Sequence, residues 1–449
     1  MKQLKSRTLF VLFFILALIL GTVVLLVLYV LNGASWASYS ANRHVYSNGS
    51  ISSGAIADRN GVILYDCENN AYSDDYEVRV STVHAIGDRN GSISVGAKSV
   101  FADKLVGFSL IFGTVGTGNQ VNLTLDAQLN KVAYEAMDGR SGVVALYNYE
   151  SGDLLCMLST PAFDPDDEAE IAAINAGDEN YDGAYLNRFL SSTYTPGSTF
   201  KLVTSAAAIE TLDDLDSFTY TCDGALEYDD GSTVTCPSAH GTVDFETALA
   251  DSCNGAFAAL ANEIGSETLQ KYAKEAGLLS SLSVSGIPTA TGSFSTTVSA
   301  VDEGWSGVGQ YEDLVTPCAM LTLMGCIASG GKAATPRLLL SVTGSVGLTT
   351  KEATETTSIG WSSSTCDQLK DMMRNNVVSH YGQSQFGDLT VCAKSGTAEV
   401  GSGSPHAWFV GFIDDEDYPY AFVVVVENGG WGSSVAGSVA AAVLEAACS

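Results

Sequence analysis

The feature that most restricts how this chain can fold lies at its start, where Thr8 to Leu31 contain no charged residue. As a helix that run rises about 36 Å at 1.5 Å per residue, enough for a hydrocarbon layer of about 30 Å. It predicts one transmembrane helix. Lys2, Lys5 and Arg7 stand just before it, so residues 1–31 read as a cytoplasmic tail and anchor, a single pass that leaves all later residues outside the cell membrane. A cleaved signal peptide is the alternative, since Ser35-Trp36-Ala37 offers small residues for processing. Its apolar core is usually shorter, roughly 7 to 15 residues.

A chain of 449 residues exceeds the size at which single cores stop growing, about 250 to 300 residues. The Ser-, Gly- and Asn-rich stretch 32–122, with short strand-like runs such as Gly61 to Tyr65, predicts a small irregular stalk module. Residues 123–449 form the second, larger domain. There a helix is predicted over Leu129 to Met137, and apolar strands over Gly142 to Leu146 and Leu154 to Ser159 flank the turn at 150–153. Three further strands, Leu389 to Ala393, Ala407 to Ile413 and Ala421 to Glu427, precede a small-residue helix over Ser438 to Ala447. Strands drawn from both ends of a segment with a helical middle predict an α+β fold, an antiparallel five-stranded sheet covered by helices.

Across the chain 21 Lys and Arg face 51 Asp and Glu, a formal net charge of −30, and three of the bases precede the anchor. Nucleic acid and anionic lipid are poor partners for such a surface, because phosphate binding needs clustered bases. Most of the ten cysteines lie in apolar contexts and read as buried small hydrophobes. Cys222 and Cys236 flank a polar, turn-rich stretch and are favoured as a disulfide pair, with free thiols as the alternative. His240, four residues after Cys236, has a spacing that zinc also uses, but the sequence offers no convincing fourth ligand.

Chemistry concentrates after the turn Thr195-Pro196-Gly197. Ser198 opens an apolar helix with Lys201 three residues on, so the amine can reach the hydroxyl and the helix dipole favours an alkoxide. A lysine serves as base only when neutral, which requires burial or a nearby cation. The same spacing recurs in Ser329-Gly-Gly-Lys332, which reads as a glycine loop. Only the first copy is followed by both Ser252-Cys253-Asn254 and Lys394-Ser395-Gly396-Thr397. Alone, Lys394 reads as an exposed strand residue and Asn254 as a helix cap. No G-x-S-x-G is present, and His406 reads as structural, so a histidine triad is not expected.

These three elements, in this order, resemble the signature of penicillin-binding proteins and serine β-lactamases. The likeness runs from about Asp58 to the C-terminus, through Arg59-Asn-Gly61, Leu123-Thr-Leu-Asp126, Ser159-Thr-Pro-Ala-Phe-Asp-Pro165, Gly309-Gln310, Thr316-Pro317 and His406-Ala-Trp-Phe-Val-Gly-Phe412. Within that superfamily the chain most resembles monofunctional, class B-like transpeptidases, since the region before Leu123 is too short for a glycosyltransferase domain. The resemblance implies a nucleophilic Ser198, Lys201 as its base, a proton-relaying Ser252 and an Asn254 amide that holds substrate or Lys201. It further implies a cationic Lys394 and substrate contacts from Ser395, Gly396 and Thr397. The oxyanion hole falls to the backbone N–H groups of Ser198 and Thr397. Cys253 occupies a position that varies in the family.

No cofactor or metal enters that chemistry. The implied substrates are peptidoglycan stem peptides, the implied inhibitors are β-lactams, and other cell-wall synthesis proteins are the implied partners. The leading expectation is a D,D-transpeptidase acylated by a D-Ala-D-Ala terminus. A D,D-carboxypeptidase and a catalytically idle peptidoglycan-binding scaffold are the alternatives. A β-lactamase is disfavoured by the stalk, and by the lack of any residue assignable to a hydrolytic water.

Overall fold

The computed structural model describes residues 2–39, 54–107, 118–344, 347–401 and 403–449. Part of the expected stalk, 40–53 and 108–117, lies outside the described residues. The N-terminal helix spans Lys2–Ser38, and its Arg7–Ala37 stretch is long and apolar enough to cross a membrane.

The sheet expected from the two ends of the larger segment is present. In spatial order its strands are Val391–Ala398, His406–Ile413, Tyr420–Val426, Gly142–Asn148 and Leu154–Thr160, all antiparallel. The first of them begins two residues later than the sequence reading had it and runs on through Lys394–Thr397. Pairing with the neighbouring strand continues there, Lys394 opposite Val410 and Thr397 opposite Ala407, so the ladder overrides the weak strand preference of Lys-Ser-Gly. Both faces of the sheet are covered. Val143, Ala145, Tyr147, Val410 and Val423 belong to the core shared with the helical part, while Val144, Leu146, Phe409, Phe422 and Val424 pack with the Ala127–Met137 and Gly437–Ala447 helices. Burial on both sides explains the unbroken apolar run Ala421 to Val426, where a half-exposed strand would alternate.

The N-terminal region is more regular than its composition suggested. A six-stranded sheet orders Thr349–Lys351, Leu339–Thr343, Gln120–Leu123, Ala55–Ala57, Ile63–Asp66 and Ala71–Tyr72 side by side. Two of its strands therefore come from a hairpin far along the chain. The buried Asp58 carboxylate ties this sheet to the first helix of the larger part, accepting N–H bonds from Asn60 and Val62 at 2.8 Å and from Ala127 at 3.1 Å.

The helical layer includes Lys201–Thr211, Asn254–Ile264, Ala300–Val308 and Pro317–Ala328. Every residue of the last is buried, as a sequence apolar but for Thr322 demands, and the Thr322 hydroxyl donates to the Cys318 carbonyl at 2.8 Å. It lies close on the sheet because Gly325 has no side chain: a Cβ there would come within 1.8 Å of the Tyr147 hydroxyl. Gly325→Ala is accordingly expected to destabilise the protein by about 1 to 3 kcal/mol through overpacking. Adding Tyr147→Phe removes the offending oxygen and should recover part of that loss. Denaturant unfolding of the two variants beside the parent measures both effects.

Candidate active site

Ser198 sits where the helical layer meets the edge of the central sheet. A single tight turn, Gly197–Phe200, leads directly into the Lys201–Thr211 helix. Gly197 has φ of 54°, in the left-handed region, and a Cβ on it would fall 3.0 Å from the Thr397 carbonyl oxygen and 3.1 Å from Ala398 Cα. Glycine thus serves twice, for the turn and for its approach to the strand. Gly396 reciprocates, because a Cβ there would lie 2.9 Å from Thr199 Cγ2 and 3.0 Å from the Pro196 carbonyl oxygen. Gly396 thereby clears space for the protein's own turn, a use that the sequence did not indicate. Trp408, on the adjacent strand, fixes the same turn by donating its indole N–H to the Thr195 carbonyl at 3.1 Å.

The second motif follows the Phe245–Ala250 helix. Ser252 holds φ of 55°, a conformation costing a non-glycine residue of order 1 to 3 kcal/mol. Flanking bonds secure it, from Ser252 N–H to Leu249 O at 3.2 Å and from Cys253 N–H to Ala248 O at 2.9 Å. The turn presents both Ser252 oxygens to Lys201, whose Nζ donates to the carbonyl at 2.6 Å and lies 3.1 Å from Oγ. Lys201 also donates to Asn254 Oδ1 at 2.8 Å, and the Asn254 amide in turn donates to Thr235 O at 2.8 Å. From the strand, Lys394 Nζ reaches the same Ser252 Oγ at 3.0 Å and the Ser395 carbonyl at 3.0 Å.

Both lysines are fully buried, and among the described residues neither is paired with a carboxylate. Burial penalises the ammonium form. It lowers Lys394 to about 7. Lys201 is held well below the usual lysine range, first by burial and then by the Lys394 charge. A neutral amine is therefore available in a network of fixed acceptors. The lone reading of Lys394 as an exposed strand residue is overturned, because alternation in the strand turns its side chain toward Ser252.

Ser198, Ser252, Asn254, Ser395 and Thr397 line one cleft of about 900 Å³. The Ser198 hydroxyl makes no hydrogen bond to the described residues, and Lys201 engages the second motif, where the helix spacing alone had suggested direct contact with Ser198. Such contacts often tighten only once substrate binds. The second S-x-x-K copy is elsewhere: Ser329 bonds back to the Gly325 carbonyl, Gly330 and Gly331 have φ of 67° and 104°, and Lys332 is exposed. It is the glycine loop its sequence indicated. His406 is structural, its Nδ1 accepting the Asn428 N–H at 3.0 Å.

Two contributors carry no signal in the sequence. The Tyr381 hydroxyl accepts from the Ser395 N–H at 3.0 Å and meets Ser395 Oγ at 3.1 Å, bracing the strand at the wall of the same cleft. It arrives from the short turn Val377–Tyr381, which no motif marks. Cys253 is the other. The favoured Cys222 to Cys236 disulfide is not formed, all three thiols being free, and Cys236 Sγ instead lies 3.9 Å from Cys253 Sγ.

This geometry agrees with what the chain resembles as a whole. Residues 142–445 match the family described as penicillin binding protein transpeptidase domain, and the chain belongs to that family. Within it the chain is a class B-like penicillin-binding protein and an enzyme of the serine acyltransferase type. It is 30% identical over 351 residues to the peptidoglycan D,D-transpeptidase PbpA of Mycolicibacterium smegmatis, covering 72% of this chain and 70% of that one. The D,D-transpeptidase domain of a peptidoglycan glycosyltransferase from Eggerthella lenta superposes with a TM-score of 0.75 at 25% identity, over 88% of this chain and 98% of that one. Penicillin-binding protein A from M. tuberculosis, as a ceftriaxone acyl-enzyme complex, shares the fold with a TM-score of 0.76 at 22% identity, over 89% and 98% of the two chains.

The close approach of turn and strand gives a test. Gly396→Ala forces the Ser198 turn away from the Lys394 strand, and displacements of this kind cost roughly 10- to 100-fold in rate. The rate of penicillin acylation should fall by that factor while the circular dichroism spectrum stays that of the parent.

Proposed function

We propose that this protein is a membrane-anchored peptidoglycan D,D-transpeptidase, organised as an anchor over residues 1–31, an N-terminal module over 32–122 and a transpeptidase domain over 123–449. The observation that carries this reading is the meeting of two buried lysines on one serine hydroxyl, 3.1 Å and 3.0 Å from Ser252 Oγ, in a cleft lined by Ser198. The peptidoglycan D,D-transpeptidase activity named for the mycobacterial relative supports the substrate class. The basic residues before the apolar helix support a cytoplasmic N-terminus and an extracytoplasmic catalytic domain.

In this reading Ser198 Oγ attacks the carbonyl carbon of the penultimate D-Ala of a stem peptide, and its proton passes to neutral Lys201. The oxyanion that forms is held by the backbone N–H groups of Ser198 and Thr397, two residues that line one cleft. As the C–N bond breaks, the proton moves from Lys201 through the Ser252 hydroxyl to the departing D-Ala amine. The amine of a neighbouring stem peptide then attacks the ester, restores the Ser198 hydroxyl and completes the cross-link. Lys394 binds the substrate carboxylate when protonated and keeps Lys201 neutral. Val391–Ala398 is the edge strand of its sheet, so substrate backbone can add alongside it near Thr397, the Ser395 N–H being held by the Tyr381 hydroxyl. A β-lactam enters by the same first step and remains as an ester on Ser198.

Fluorescent penicillin should label the protein covalently. Ser198→Ala abolishes the label with folding intact, and Ser329→Ala leaves it unchanged; a label that survived the first change would sink the nucleophile assignment. In intact-mass measurements the adduct should persist, and rapid return to the unmodified mass with drug turnover would indicate a β-lactamase.

The pH dependence of acylation carries a sign. Lys201 is lowered, so its reactive neutral form is present above its pKa and is lost as pH falls through it. The acylation rate should therefore rise with pH along one limb placed below the ordinary lysine range. Lys394→Met removes the neighbouring charge, and the limb should move to higher pH even though the rate drops. Rates of penicillin acylation measured across pH for both proteins read this shift.

A further inference from the structure

Beside the cleft, the side chains of Cys222, Cys236, His240 and Cys253 converge, with one potential ligand atom from each and all four lying within 4.8 Å of one another. They come from three separate places in the fold. Cys222 ends the Thr219–Cys222 strand, and His240 precedes the Gly241–Asp244 strand that pairs with it, Gly241 opposite Cys222. Cys236 follows the Thr233–Thr235 strand, its N–H held by Gly224 O at 2.8 Å. Cys253 caps the Asn254–Ile264 helix.

The spacing suits a tetrahedral ion. Zinc bound at about 2.3 Å to each sulfur separates thiolates by about 3.8 Å, and Cys236 Sγ and Cys253 Sγ are 3.9 Å apart. A second, independent observation points to a ligand: His240 Nδ1 is buried without a hydrogen-bond partner, while its Nε2 lies 3.4 Å from Ser238 Oγ. The tautomer that donates from Nε2 to that hydroxyl leaves an unused Nδ1 lone pair, the arrangement a metal-bound imidazole takes. The Gly255 N–H donates to Cys236 Sγ at 3.2 Å, a bond that favours thiolate over thiol. The chain around these residues has little core of its own. In the four short strands between Thr219 and Asp244 only Cys222, Val234 and Val243 are buried, and small modules of that kind depend on a staple.

We propose that Cys222, Cys236, His240 and Cys253 bind one zinc ion as a closed structural site that fixes the Ser252 turn of the active site. Three thiolates and one neutral imidazole fill the tetrahedron, and three thiol protons leave as the ion enters. With no open position the ion does not touch substrate. Its effect passes through Cys253, which lies between Ser252 and Asn254, the two residues that hold Lys201. This consequence rests on the proposed transpeptidase reading, whereas the site itself does not.

The test begins with metal analysis of the full chain, purified in detergent without chelator, supplemented with zinc and desalted. One tightly held zinc per chain is expected. Cobalt in its place should give sulfur-to-cobalt charge-transfer bands and the intense visible bands of a tetrahedral site. His240→Ala, at a half-exposed position that should tolerate the change, is expected to weaken zinc binding roughly 100-fold or more, and Cys222→Ser should do the same. Removing zinc with a strong chelator should slow penicillin acylation, and returning it should restore the rate. Substoichiometric zinc would overturn the site, as would full zinc retention in the His240→Ala, Cys222→Ser double variant. A disulfide between any two of the three cysteines in unreduced peptide maps would overturn it too. Zinc loss without any change in acylation would overturn the link to Ser252. Zinc content is read without substrate, so bound zinc in a protein inert to penicillin leaves the site standing and removes the transpeptidase reading.

Discussion

Two buried lysine amines converge on the hydroxyl of Ser252, and much of the molecule is arranged to make that convergence possible. Each amine alone is costly to bury as a cation, and placed together they cannot both stay charged without a carboxylate between them. The structure supplies neutral acceptors in its place: the Ser252 carbonyl, the Asn254 amide oxygen and the Ser395 carbonyl. Hydrogen bonds of that kind hold the amines in position while leaving the proton free to move. The strained φ of Ser252 is the local cost of turning a carbonyl and a hydroxyl toward the same lysine.

The convergence joins three elements that belong to different layers. Lys201 is presented by the first turn of a buried helix, Ser252 by the turn between two others, and Lys394 by the edge strand of the sheet. Their spacing is set by glycines that allow backbone to meet backbone. Gly197, Gly309 and Gly396 form one such contact, with Gly197 N–H donating to Gly309 O at 2.8 Å and any Cβ on Gly309 falling 2.2 Å from the Gly197 oxygen. In the proposed mechanism rigidity here matters more than stability, because a proton relay across three side chains tolerates little displacement. Tyr381 and Trp408 serve the same end, one holding the strand at Ser395 and the other the turn at Thr195.

Local signals served well where local physics decides. Apolar runs at both ends of the larger segment gave the five strands, and Pro-Gly followed by a small apolar run gave the turn and helix that carry Ser198 and Lys201. They failed where partners are distant in sequence. The strand through Lys394 was read as ending too early, because only its pairing with His406–Ile413 keeps Lys-Ser-Gly extended. The N-terminal sheet looked irregular because the hairpin at 339–351 that completes it lies more than two hundred residues away. Tyr381 was missed since nothing around it marks a tyrosine that braces a strand.

By itself the sequence determined which groups the proposed chemistry draws on, since residue type, order and helix spacing are one-dimensional properties: Ser198 with Lys201, Ser252 with Asn254, and Lys394 with Ser395 to Thr397. It also determined the one helix, among the described residues, that is long and apolar enough to cross a membrane, which depends only on an uncharged run of sufficient length. The tertiary structure decided how those groups meet. Whether Lys201 faces Ser198 or Ser252, whether Lys394 is buried, and whether Cys253 joins Cys222, Cys236 and His240 all depend on side chains brought together from distant segments. Burial and proximity are three-dimensional quantities, and they set the charge of a lysine and the company of a thiol, which no spacing along the chain encodes.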